Sequence, residues 1–190
     1  MPSILLTPPA VEPLSLDEAK DYLRVEHADD DALIAALIAS ARNHVEAQTR
    51  RALITQTWRH SCDAWPADGR IAVLPAPLQA LAAARVYDDE GAAQTIDLET
   101  FVVDAVAAPG VIAFPPWSVP APGRKHAGIE LDIVAGYGNA PSDVPGPLRL
   151  AMWLLLSHWY ENRGIVAESS ASPLPASVAE LIAPYRVLSL

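Results

Sequence analysis

A chain of 190 residues is long enough for one domain of ordinary size with room for an inserted subdomain, and 51% apolar residues can fill a core, which argues against wholesale disorder. A formal charge of −10 gives no counterion-release affinity for nucleic acid, so a broad grip on DNA is not expected, although a negative wall would let a duplex slide past. A single cysteine, Cys62, cannot form an internal disulfide, Met1 to Pro9 lack the pattern of a secretory signal, and the apolar run Leu148 to Leu156 is broken by Arg149 and too short for a bilayer; the expectation is a soluble protein made in the bacterial cytoplasm, without membrane contact.

Eighteen prolines against nine glycines predict a punctuated chain with few long elements. Residues 1–14 read as an extended arm. Ser15-Leu16-Asp17-Glu18 fits a capping box, which predicts a helix over 16–25 with Leu16, Ala19, Tyr22 and Leu23 facing inward. The acidic turn His27 to Asp31 suits the start of a second helix over 30–51, through capping and the macrodipole. Leu33, Ile34, Leu37, Ile38, Ala41 and Val45 recur there at helical spacing, and Arg50 and Arg51 stand at its C-terminal end.

From Ile54 the period changes. Strands are predicted over 54–63, 70–74, 81–87, 95–98, 101–104, 111–114 and 129–135, with a hairpin turn at Asp88-Asp89-Glu90-Gly91 and a loop over Pro115 to Lys125. A third helix is predicted over 147–163. Its stripe of Leu148, Ala151, Met152, Leu155 and Trp159 is joined by Leu150, Trp153, Leu154 and Leu156, making it apolar nearly all round, as in a helix buried on more than one side. Ile165 to Pro175 reads as a small-residue linker. Ser177 and Glu180 fit a second capping box for a final helix over 178–183, ended by Pro184. The fold class is therefore α+β: a helical bundle from 1–53 and 137–190, carrying an arm and a tail, with a small antiparallel β-subdomain inserted at 54–136.

No chemical motif stands out. There is no phosphate-binding loop, and Gly136-Tyr137-Gly138 reads as a turn. His60 and Cys62 share one face of a strand, but a two-ligand site is outweighed by a buried, small apolar cysteine. Cys62 with His44 or His158 is a conceivable nucleophilic pair without any surrounding signature. Asp29-Asp30-Asp31 and Asp88-Asp89-Glu90 sit where turns and caps place aspartates. Arg124-Lys125-His126, Arg149, Arg163 and Arg186 are too scattered for a DNA-binding stripe. No metal, cofactor or catalytic set is expected; a small hydrolase is the weaker alternative. The apolar tail is more informative: Leu181, Ile182, Tyr185, Arg186, Val187, Leu188 and Leu190 dock either on the chain's own core or on another chain.

The order of parts resembles phage head–tail connector (adaptor) proteins. The resemblance runs through Pro13 to Lys20, Asp30 to Ile34, Ala41 to Glu46, Arg51 to Trp58, Leu74 to Leu78 with Val86-Tyr87-Asp88, Ala135 to Gly138, Val144-Pro145, Tyr160 to Arg163 and Pro184-Tyr185-Arg186. It is similar to the variant with a β-rich insert found in prophages and gene transfer agents. The resemblance implies a structural, non-enzymatic ring of about twelve subunits in the neck of a virion or phage-like particle, closed by head-to-tail contacts. It also implies a portal protein on one side, a stopper or tail-completion protein on the other, and double-stranded DNA passing through without sequence-specific binding. A stopper or tail-completion role in the same neck is the alternative. On this reading Leu181, Ile182, Tyr185, Arg186, Val187, Leu188 and Leu190 dock on the portal, and Leu150, Trp153, Leu154, Tyr160 and Arg163 lie between subunits.

Overall fold

The computed structural model describes residues 1–162 and 176–188. The chain divides into two compact units: Ala10–Ile54 with Gly138–Arg186, and Met1–Pro9 with Thr55–Tyr137 and the tail from Val187. The class is α+β, with helices and antiparallel sheets.

The first unit holds helices α1 (Leu16–Leu23), α2 (Asp31–Thr49), α3 (Gly146–Glu161) and α4 (Ala176–Ile182). The capping box at α1 forms as expected: the Glu18 N–H donates to Ser15 Oγ (3.2 Å) and the Ser15 N–H donates to Glu18 Oε2 (2.9 Å). The helix stops two residues short of the expected end because Arg24 turns left-handed at φ 58°. Of its four expected inward residues only Ala19 is buried, and Tyr22 is 47% exposed. At the start of α2 the expected cap is absent. The Asp30 carboxylate instead accepts from the Tyr160 hydroxyl (2.6 Å), and that of Asp31 pairs with Lys20 Nζ (2.6 Å). These bonds hold α2 to α3 and to α1. Ile34, Ile38, Ala41, Val45 and Thr49 form the buried stripe of α2, while Leu33 faces outward. The helix ends at Arg50, left-handed at φ 57°, rather than at Arg51, and Glu46 Oε1 takes the Leu53 N–H (2.8 Å) beyond it.

Helix α3 packs against α2 and α4 through Leu148, Ala151, Met152, Leu155 and Leu156. Its predicted span is one residue late at the start, because Pro147 sits inside the first turn, and α3 ends at Glu161. Arg149 reaches back to the Pro13 carbonyl (3.1 Å) and Glu18 (3.2 Å), tying the segment before α1 to α3. Helix α4 begins at Ala176, so Ser177 lies within it and is not its cap; Ala183–Tyr185 continue it as a 3₁₀ turn. The expected linker 165–175 lies outside the described residues, as do Arg163 and Leu190.

The second unit holds strands β1 (Ser3–Thr7), β2 (Gln56–Cys62), β3 (Arg70–Val73), β4 (Leu78–Tyr87), β5 (Ala93–Thr95), β6 (Val102–Asp104), β7 (Gly110–Ala113) and β8 (Ile129–Ala135). One sheet has the order β1-β2-β8-β4-β5 and the other β3-β7-β6, and all pairs are antiparallel. Two expectations change here. The N-terminal arm is a sheet strand, β1. The return strand after the hairpin is Ala93–Thr95 rather than 95–98, because Asp97 accepts the Glu99 N–H (3.0 Å) and starts a 3₁₀ turn at Leu98–Thr100.

Strand β8 is the centre of the larger sheet. Ile129, Leu131, Ile133 and Ala135 are fully buried on one face. On the other, Asp132 accepts from Arg59 of β2 (2.7 and 2.9 Å) and Arg85 of β4 (2.8 Å), and Glu130 accepts from the Tyr87 hydroxyl (2.9 Å). The Arg59 hydrogen bonds, ahead of those from Arg85 and against the desolvation that opposes them, hold the Asp132 carboxyl below its usual range. This outer face is therefore closed by ion pairs in place of a packed layer. Behind the smaller sheet, Trp65, Phe101 and Phe114 cluster with ring centroids 4.8–6.1 Å apart. Gly69, at φ +67°, lies against the Phe114 carbonyl, where a Cβ would stand 2.2 Å from the oxygen.

Asp132→Ala leaves two arginines without their shared acceptor and should lower stability by about 1–3 kcal/mol, read as a lower urea midpoint at constant slope. His60, 3% exposed, has no well-formed hydrogen bond at either ring nitrogen, and burial depresses its pKa, with the Leu74 backbone only partly offsetting this. Below about pH 6.5 the unfolded chain takes up a proton that the folded ring refuses, so stability drops as the pH falls from there towards the depressed value. The thermal midpoint should fall between about pH 7 and pH 5, and His60→Leu should flatten that part of the profile.

Candidate functional site

The surfaces singled out from the sequence belong to α3, to the end of α4 and to the segment after it. Along α3, burial of Leu148, Ala151, Met152, Leu155 and Leu156 leaves a second apolar face. Leu150 is 46% exposed, and Trp153 and Leu154 are half-buried. The Trp153 ring lies 4.8 Å from that of Tyr22, so α1 extends this face with an aromatic side chain that the sequence reading had turned inward. Its helical spacing from Ala19 suggested the inward orientation; the small Ala19 alone seats α1, leaving Tyr22 at the rim. Tyr160, half-buried, is fixed by its bond to Asp30.

The tail is held by the C-terminal end of α2. Val178 and Ile182 are buried and α4 packs on α3 and α2, while Leu181 is half-buried. The Arg51 Nε donates to the Tyr185 carbonyl (2.6 Å), and Arg186 donates to Gln48 Oε1 (2.8 Å) and to the Gln48 carbonyl (3.3 Å). Within the described residues the tail thus docks on its own chain as far as Arg186. Val187 is buried, and Leu188 is 83% exposed.

The chemical candidates are engaged in structure. Cys62 is half-buried, and burial pushes its thiol up, away from the thiolate a nucleophile needs. His44 stands edge-on to Trp159. Asp88 accepts the Glu90 and Ala92 N–H groups of its own turn (3.0 and 2.8 Å). Arg124 donates to the Ala127 carbonyl (2.6 Å) and lies over the Tyr87 ring (4.3 Å), and His126 sits 3.0 Å from Asp63. Among the described residues no group of three or more potential metal ligands gathers, and no helix is long and apolar enough to cross a membrane.

Residues 13–104 match the family of phage gp6-like head–tail connector proteins. That match covers 92 of the 190 residues and takes in α1, α2 and strands β2 to β6. No curated protein matches the chain. The whole chain resembles chains in solved gene transfer agent (GTA) particles. In the neck of an empty GTA particle computed with C6 symmetry, the TM-score is 0.84 at 24% identity, covering 100% of this chain and 97% of the other. In the virion of the native GTA particle it is 0.83 at 24% identity, with the same coverage. In the neck of the native particle computed with C12 symmetry it is 0.77 at 25% identity, covering 98% and 97%.

The tail's anchor on α2 gives a local prediction. Arg186→Ala removes both bonds to Gln48, so amide hydrogen exchange over 183–187 should accelerate while global stability changes by no more than about 1 kcal/mol.

Proposed function

We propose that this chain is a structural head–tail adaptor, forming a closed ring between the portal and the tail or stopper of a phage or gene transfer agent neck and lining part of the DNA exit path. The observation that carries this reading is the connector-family match over residues 13–104, joined to a likeness in GTA neck particles that spans the chain. Helices α1–α4 form the bundle of the ring, with about twelve copies closing head to tail. Leu150, Trp153, Leu154, Tyr160 and Arg163 lie at the contact between copies; the half-open apolar face of α3, rimmed by Tyr22, supports this, since such faces mark interfaces. The net charge of −10 suits a conduit from which DNA must slide freely. The protein does no chemistry of its own.

The portal meets the C-terminal segment, Leu181, Ile182, Tyr185, Arg186, Val187, Leu188 and Leu190. Ile182 and Val187 are buried in the chain itself, so they shape this element, and the exposed Leu188 is the anchor that a partner can cover. A stopper or tail-completion protein takes the opposite side of the ring.

Binding to the purified portal tests the docking claim. Leu188→Asp changes an exposed side chain and should leave the melting temperature unchanged while weakening portal capture at least tenfold. A chain truncated after Ala176 should not bind at all. Undiminished capture by both variants would refute portal docking through this segment. For the ring contact, Leu150→Asp should leave the subunit folded and abolish ring assembly, read by mass photometry.

A further inference from the structure

The larger sheet ends in two strands whose outer sides are paired with no described strand, β1 and β5. Every residue of both is exposed. On β1 these include Ile4 (61%), Leu5 (40%) and Leu6 (41%), and the strand contains no proline or charge of the kind that guards a free edge.

The register says which backbone groups are free. The Ser61 N–H donates to the Pro2 carbonyl (3.1 Å), so Pro2 and Ser61 form a bonded pair of the β1–β2 ladder. By alternation Ile4 turns its groups towards β2, and Ser3 and Leu5 turn theirs outward. On β5, the Asp88 N–H donates to the Ala92 carbonyl (3.1 Å) and the Ile96 N–H to the Ala84 carbonyl (2.9 Å). Gln94 therefore faces β4, and Ala93 and Thr95 face outward. Both edges thus present two outward residues at the same spacing.

Direction matches as well. Four successive antiparallel pairings separate β1 from β5, so the two run the same way. A copy related by rotation about a ring axis keeps that direction and brings its β1 alongside β5 as a parallel pair.

We propose that β1 of one copy adds to β5 of its neighbour, joining the sheets of adjacent subunits. Leu5 then stands opposite Gln94, with its N–H donating to the Ala93 carbonyl and its carbonyl accepting from the Thr95 N–H. Apolar side chains on β1 are covered by the same contact. This pairing rests on the ring reading above and adds a second interface, in the β unit.

The test uses the full chain assembled with the portal of its own particle. In a Cys62→Ser background, the double variant Leu5→Cys with Gln94→Cys should form intermolecular disulfides on mild oxidation, giving a ladder of multimers on a non-reducing gel; either cysteine alone should give none beyond dimers. Separately, Leu5→Pro removes an outward N–H while sparing the Ile4 bonds to β2, and should reduce the yield of closed rings at least tenfold with the subunit still folded by circular dichroism. Rings that form normally with Leu5→Pro and show no cross-link overturn the strand pairing and leave the adaptor reading intact. No ring in any preparation of the unaltered chain with portal overturns both.

Discussion

Helix α3 carries more apolar surface than its own unit buries, and that excess is what contact between copies can cover. Leu148, Ala151, Met152, Leu155 and Leu156 close the core against α2 and α4, and once they are placed Leu150, Trp153 and Leu154 have only partial cover. Burying an aliphatic or aromatic side chain is worth about 1.5–3 kcal/mol, so a face of this kind is a standing source of association energy. The helix can hold it open because its position is fixed independently: Tyr160 is bonded to Asp30 and Arg149 to Pro13 and Glu18.

The β unit solves the complementary problem. Its larger sheet buries one face and covers the other with the Arg59–Asp132–Arg85 pairs and the Tyr87–Glu130 bond. These pairs close the face without a packed layer above it, and the Asp132 carboxylate is buried between its two arginines. The uncovered backbone is confined to the two ends of the sheet. Each unit thus closes its own core and leaves a restricted surface available.

Much of the local structure was legible in the sequence. The Ser15–Glu18 box, the strand over Ile129–Ala135 and, Leu33 and the half-buried Leu37 apart, the buried spacing along α2 appear where the pattern put them. The failures have two causes: a tertiary partner claims a group that local rules had assigned, or the backbone turns where no sequence rule marks it. Asp30 bonds Tyr160 and does not cap; Arg24 and Arg50 end their helices by turning left-handed, which no composition rule marks for arginine. Strand β1 was hidden because Pro2, Pro8 and Pro9 frame only five residues, and its status as a strand depends on β2, some fifty residues away. Of the candidate site, the apolar excess of α3 was legible, with Leu150, Trp153 and Leu154 on its open face, but Tyr22 beside them looked like core, and the tail's bonds to Gln48 and Arg51 have no local signal.

The central claim is that this chain is a mechanical joint built from many copies. Electron cryomicroscopy of the particle that encodes it, reconstructed at the neck, tests that most directly. The account predicts a closed ring of this chain between portal and tail, with the Leu150–Leu154 face of α3 buried between neighbours. A neck without this polypeptide, or a ring in which that face of α3 lies bare to solvent, would contradict it.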